Sequence, residues 1–350
     1  VAAPTQPQPG SVDRPARSRH RAAFTPLSVG PGAVRKMLEQ TLWAESIGYE
    51  DVWLADAGGV DALTLAALLL DRTERMRVGI AVSPVYTRTP AVFAASVATL
   101  ADIGPGRFAL GLGSGSETMI NGWHGLQLRK PVAHVRETVT LLRQMLAGEK
   151  TSFEGQALRS EGYRQPALDA DVPIFLAALR PRMIELAAAI ADGIILNLFP
   201  LQSLPRIMET IHSDLALAGR EPGSLEIGTR LQAMVTDDVE TARTLFRRLF
   251  GPYFTNPVYN AFLAWAGYET EAAEILDAGS VGDWRRVRAA LTDELVDGIA
   301  VIGAAEQCQE RLLALAEGGI QTPMLFCLSD DPDVQRDTYA ALSPAEMSGK

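Results

Sequence analysis

Cysteine is scarce in this chain: Cys308 and Cys327 are the only two among 350 residues. Neither belongs to a CxxC pair or a Cys/His cluster, so a disulfide framework and the common zinc spacings are both excluded. Both lie in apolar contexts and read as buried free thiols. Histidine is nearly as rare, with His20, His124, His134 and His212, and no His/Asp/Glu spacing suggests a metal site. No apolar run reaches the roughly 20 residues that span a bilayer, so no membrane partner is expected. Basic charge does not dominate either. Lys and Arg number 32 against 42 Asp and Glu, a net charge of −10, which disfavours nucleic acid as a partner. Two motifs are also missing. No GxGxxG follows the first apolar strand, as an open dinucleotide-binding sheet would require, and Gly113-Ser114-Gly115 lacks the GxSxG spacing of a hydrolase nucleophile.

What remains is a chain of ordinary globular composition, 47% hydrophobic and 21% charged, long enough to build a core without staples. Residues 1–21 are rich in Pro, Gln, Ser and Arg and carry no apolar block of the signal-peptide kind. They read as a disordered tail, and the chain is expected to be cytoplasmic. Residues 22–335 read as one domain and 336–350 as a C-terminal tail.

The most informative stretch runs from Val172 to Asn197. An apolar strand, Ile174-Phe175-Leu176-Ala177, ends in a short Leu-Arg-Pro turn. Pro181 stands where a helix would begin, the position at which its missing N–H costs nothing. That helix runs to about Ile190, and Ala-Asp-Gly leads into a second apolar strand. Such a strand–helix–strand unit belongs to a parallel sheet. Further strands are expected at Ala22–Val29, Asp51–Ala55, Arg77–Val82, Arg107–Leu112, Leu225–Val235 and Thr322–Leu328, with helical spacing between them. Eight short apolar strands alternating with helices point to an α/β fold, a (β/α)8 barrel. Insertions follow strands four and seven. The second of these, 238–293, is mostly helical and carries Phe246, Phe250, Tyr253, Phe254, Tyr259, Phe262 and Trp265.

Several segments together resemble the luciferase-like flavin and deazaflavin oxidoreductases. They are Arg107-Phe108-Ala109-Leu110-Gly111-Leu112-Gly113-Ser114-Gly115, Trp123-His124-Gly125 with Pro131 and Arg136-Glu137, and Leu142-Arg143 with Ala147-Gly148-Glu149. Ala177 to Asn197, and Asp297-Gly298 with Ile302-Gly303, complete the set. Within that family the chain is most similar to the branch that uses coenzyme F420 and includes methylenetetrahydromethanopterin reductase. The likeness spans about residues 22 to 330 and implies a luciferase-like barrel acting as a homodimer on a small organic molecule.

Ligands of a barrel sit at the C-terminal strand ends, which selects Asp56, Ala81, Val82, Gly113 to Glu117, Leu179 to Arg182 and Asn197. Gly113 and Gly115 allow close backbone approach, and with Ser116 they read as cofactor contacts. Leu179, Arg180, Pro181 and Arg182 combine free N–H groups at a helix start with two guanidinium groups, a setting suited to a phosphate. The resemblance implies a non-proline cis peptide at Ala81-Val82, behind the cofactor ring. Asp56 is expected to contact the cofactor, and with Glu117 and His124 it is a candidate for proton transfer. Two departures stand out. Relatives commonly read Asp-His where this chain has Asp56-Ala57. The glucose-6-phosphate dehydrogenase branch has Glu where this chain has Ser116, one step before Glu117. Both argue against sugar-phosphate oxidation.

The expected activity is hydride transfer between coenzyme F420 and an organic substrate. An FMN-dependent monooxygenase and a catalytically silent cofactor-binding protein are the alternatives.

Overall fold

A computed structural model describes residues 20–347. Eight parallel strands close into a barrel: β1 (Ala23–Phe24), β2 (Asp51–Leu54), β3 (Arg77–Ile80), β4 (Phe108–Gly113), β5 (Ile174–Ala177), β6 (Gly193–Asn197), β7 (Glu226–Val235) and β8 (Thr322–Cys327). Each pairs with its sequence neighbour, and β8 closes on β1 through Ala23 opposite Met324. The outer helices are α1 (Ala33–Ser46), α2 (Ala62–Arg72), α3 (Pro90–Ile103), α4 (Pro131–Leu146), α5 (Pro181–Ile190) and α6 (Leu204–Leu217). After β7 come α7 (Val239–Phe254), α8 (Pro257–Trp265), α9 (Glu269–Ser280), α10 (Trp284–Ala290) and α11 (Asp293–Ile299), and then α12 (Ala305–Glu317) and α13 (Pro332–Ala341).

Helix starts follow local chemistry. Asp61 accepts from the Thr64 N–H to cap α2, and Thr89 caps α3 ahead of Pro90. Such caps are worth about 1 kcal/mol each. Pro181 opens α5 after an extended Arg180, as its fixed φ favours.

Four differences from the sequence reading have physical causes. The first strand covers only Ala23–Phe24 rather than eight residues, because Pro26 brings no N–H to the ladder. The third ends at Ile80 rather than Val82; the peptide bond between Ala81 and Val82 is cis, as the resemblance implies. A short strand, Val301–Gly303, adds to the end of β7; three residues are too few to show a period. Finally, the boundary at 335 cuts through α13. Tyr339 is fully buried, packs edge-on against Phe24 and Tyr49, and donates to the Thr25 carbonyl at 2.9 Å. Residues 336–342 therefore close the barrel rather than trail from it. The expected tail at 1–21 lies almost wholly outside the described residues. The insertion after β4 carries a small hairpin, Ser152–Glu154 paired antiparallel with Arg159–Glu161.

Both thiols are buried. Burial pushes Cys308 up to about 11, against a smaller opposing effect of Arg311, and raises Cys327 as well. Below that pH the thiol form dominates, so alkylation of the native protein at pH 8 is expected to be negligible. Mass spectrometry should find both sites modified only after unfolding.

Candidate active site

Along each barrel strand every second side chain points inward. At the N-terminal end this places Asp51, Arg77, Glu226 and Thr322 together. Arg77 donates to Asp51 at 2.9 Å through Nε and to both Glu226 oxygens at 2.9 and 2.5 Å. Arg21 and Thr322 supply further donors to the same carboxylates at 2.7 and 2.6 Å. Burial alone would lower the Arg77 pKa, but the two carboxylates win and raise it. This ion cluster is the barrel's floor. Above it Trp53, Phe175, Met324, Ala23 and Ala109 fill the centre. Gly79 and Gly193 make room for the two large rings: a Cβ on either would come within 2.3 Å of Trp53 or 2.2 Å of Phe175.

Toward the C-terminal ends the interior opens. On one side stand Ala81, Val82, Gly111, Gly113 and Ala177, all small or flat. A Cβ on Gly111 would lie 2.0 Å from the Ile80 carbonyl oxygen, and one on Gly113 would lie 2.8 Å from Val82. Ile195, paired beside Ala177, leads round to Asn197, Arg230, Gln232 and Phe326 on the other side, with Arg230 level with Asn197 and Gln232 level with Phe326. Asn197 donates to the Tyr259 hydroxyl at 3.3 Å, which brings α8 over the mouth, and accepts from Gln232 at 3.1 Å. Ala81, Val82, Ala177, Asn197, Arg230 and Tyr259 are only partly buried although their neighbours along the chain are largely enclosed. The two faces thus border a hollow with a small-residue wall and a polar, aromatic wall.

The candidate residues read from the sequence all lie on this side of the barrel. Asp56, just beyond β2, has its Oδ2 occupied: Ser83 Oγ and Arg88 Nη1 both donate to it at 2.5 Å. Arg88 also bonds Ser83 at 2.9 Å and pairs with Asp61. Burial would lower the Arg88 pKa, but its bonds to the two carboxylates raise it. Asp56 therefore serves as an ion-paired acceptor that ties the ends of β2 and β3 together. Gly115 has φ +69, and a Cβ there would meet Ile120 at 3.0 Å. Ser116 accepts from the Met119 N–H at 3.2 Å, starting a π-helical turn over Thr118–Trp123. Glu117 and His124 are exposed at either end of that turn. Trp123 reaches back to within 3.7 Å of the Cβ position of Gly58, bringing the turn beside the Asp56 loop.

At the start of α5, Arg180 caps nothing with its side chain. The N–H groups of Leu179, Arg180 and Arg182 have no partner among the described residues. Arg180 and Arg182 are exposed, and neither forms an ion pair among the described residues. Unpaired N–H groups and two exposed guanidinium groups at a helix N-terminus are the chemistry an anion requires.

The sequence reading missed Arg88, Arg230 and Gln232. Arg88 carries no local signal. Arg230 and Gln232 did: two polar residues two positions apart in an apolar strand share one face, and in a closed barrel that face is the interior. A shallow cleft of about 430 Å³ beside Arg247, Arg285 and Arg288 lies on the outer helices, away from the strand ends. No group of three or more His, Cys, Asp or Glu residues able to hold a metal occurs among the described residues. No helix there is long and apolar enough to cross a membrane.

Comparison with known proteins agrees with this geometry. The model of the family described as luciferase-like monooxygenase matches residues 16–322. Over 290 residues the chain is 26% identical to a 5,10-methylenetetrahydromethanopterin reductase of Methanolobus tindarius, covering 82% of this chain and 88% of that one. Over 199 residues it is 31% identical to an F420-dependent glucose-6-phosphate dehydrogenase of Intrasporangium calvum, covering 50% and 59%. Among solved structures, the coenzyme F420-dependent tetrahydromethanopterin reductase of Methanopyrus kandleri superimposes with a TM-score of 0.78 at 19% identity, covering 95% and 98% of the two chains.

Proposed function

The chain belongs to the luciferase-like monooxygenase family, and from that membership we propose that it is an oxidoreductase dependent on coenzyme F420. One observation carries the reading. The small-residue wall at the ends of β3, β4 and β5 runs directly into a helix start whose N–H groups and two guanidinium groups stand unpaired among the described residues. A flat ring joined to a phosphate-bearing tail matches both halves of that arrangement.

In this reading Ala81, Val82, Gly113 and Ala177 back the ring, with Gly115 and Ser116 at its edge. Leu179 to Arg182 hold the phosphate through N–H groups, helix dipole and charge. Bound there, the deazaflavin supplies a carbon that gives or takes a hydride. The chain's own residues position it and exclude water. Asp56, engaged by Ser83 and Arg88, keeps the β2 and β3 ends fixed behind the ring. Glu117 and His124, exposed at the rim, are placed to exchange the accompanying proton with solvent. F420 is favoured over FMN because the dehydrogenase relative named above uses it. By the resemblance, Ala57 stands where relatives commonly have histidine and Ser116 where the glucose-6-phosphate dehydrogenase branch has glutamate, so sugar-phosphate oxidation is not the proposed reaction.

Separate fluorescence titrations with F420 and with FMN test this. Micromolar F420 affinity with FMN at least tenfold weaker is the expected result. The reverse order favours a flavin monooxygenase, and binding of neither overturns the cofactor reading. Tight F420 binding without turnover across reducible substrates favours a silent binding protein. Removing both Arg180 and Arg182 by substitution with Ala is expected to weaken F420 about tenfold. That loss should shrink as salt rises from low to physiological strength, since both side chains are exposed.

A further inference from the structure

Arg230 is an anomaly in the barrel. It sits in the middle of β7, points into the interior, and stacks its guanidinium on Phe326 with 4.2 Å between Cζ and the ring centroid. Its Nε is buried with no hydrogen-bond partner. No carboxylate pairs with it among the described residues, whereas Arg77 on the barrel floor is held by two. Burial lowers its pKa, and the nearby hydroxyls of Tyr253, Tyr259 and Tyr339 offset this only in part. The side chain is partly buried, and a partly desolvated cation with no carboxylate beside it carries part of the cost of a buried charge. Costs of this kind persist where a ligand completes the site.

We infer that Arg230 is a substrate-binding residue, and that the substrate is a planar organic anion whose carboxylate pairs with the Arg230 guanidinium across the hollow from the cofactor wall. The substrate's place opposite that wall rests on the cofactor reading above; the anion site itself does not. Four features define the ligand. Phe326 covers one face of the guanidinium and Nε is enclosed, so the in-plane edge formed by the two Nη groups is what remains for a partner. An in-plane edge with two parallel N–H groups matches a planar carboxylate. A single, partly buried positive charge suits a monoanion. The edges of Ile195 and Phe326, 5% and 7% exposed, supply apolar surface for the rest of the molecule. Tyr259, whose oxygen accepts from Asn197, keeps its own hydrogen for a ligand oxygen.

The test uses benzoate as the probe, with benzyl alcohol as its uncharged counterpart, titrated calorimetrically into the full chain with and without F420. Benzoate is expected to bind at least about tenfold more tightly than benzyl alcohol. Arg230→Met should abolish that preference while leaving F420 affinity unchanged, and Arg230→Lys should keep part of it. A thermal readout separates this from a structural role. Because Met removes a partly desolvated charge that no carboxylate offsets, Arg230→Met is expected to raise Tm by about 2 °C. Benzoate should raise the Tm of the wild type only.

Equal binding of benzoate and benzyl alcohol by the wild type would overturn the proposal. So would benzoate affinity retained in Arg230→Met, or a fall in that variant's Tm. If Arg230→Met does not fold, the role is structural and the inference fails, a result that Arg230→Gln, with amide donors in place of the charge, must repeat. Arg230-dependent benzoate binding in a chain that binds no F420 would sink the cofactor reading alone. F420 binding without benzoate binding would sink the anion site alone.

Discussion

Arg77→Met is expected to destabilise the protein by about 3–5 kcal/mol, because it strands two buried carboxylates. Asp51 is fully buried and Glu226 is 5% exposed, and Arg77 bridges them at the bottom of the barrel. Arg21 still reaches Asp51 and Thr322 still reaches Glu226, but neither spans the space between β2, β3 and β7. Methionine fills much of the lost volume, so the loss measures uncompensated charge rather than a cavity. Chemical denaturation gives the size of the effect. A triple variant adding Asp51→Asn and Glu226→Gln should recover a large part of it. Failure to recover would assign the loss to packing against Trp53 and Phe175, over which the guanidinium lies at 5.3 and 5.8 Å.

Gly111→Ala is expected to cost about 3 kcal/mol, at the upper end for overpacking. The added Cβ would sit 2.0 Å from the Ile80 carbonyl oxygen, and a backbone atom cannot rotate away as a side chain can. The strain would fall on residues 80–83, part of the wall assigned to the cofactor ring, so F420 affinity should drop at least tenfold with stability. Gly113→Ala is the control. Its new Cβ meets Val82 Cγ2 at 2.8 Å, and a valine side chain can adjust. That variant should fold nearly as well as the wild type and lose affinity first. Comparable stability losses in the two variants would argue against the backbone contact as the cause.

Much of the architecture was legible because its causes are local. The helix from Leu204 to Leu217 and the strand ending at Val235 follow from the spacing of apolar residues alone. Pro181 announces the start of α5, and the glycines after β4 announce a close approach. Given eight strands, the rule that barrel ligands sit at C-terminal strand ends was enough to gather Asp56, Gly113, Ser116 and Arg182 onto one side of the molecule. The same rule could not say what each side chain does there. Asp56 reads from the sequence as a candidate proton carrier; only the fold shows that Ser83 and Arg88, 27 and 32 residues along the chain, both engage its Oδ2.

Tyr339 and Arg230 mark the division most clearly. The apolar residues of the last helix are too sparse for a local pattern to distinguish a packed helix from a tail; contact with Phe24 and Tyr49, some 290 residues or more away, makes it part of the core. Arg230 and Gln232 announce a shared face by their spacing, yet partnership is a property of the closed ring. Local sequence carries periodicity and turn chemistry, which set the strands, the helices and the end of the barrel where ligands belong. Desolvation and charge pairing depend on groups brought together from distant positions. For that reason the ion-paired floor, the fixed Asp56 and the solitary guanidinium at the mouth became apparent only once the eight strands had closed.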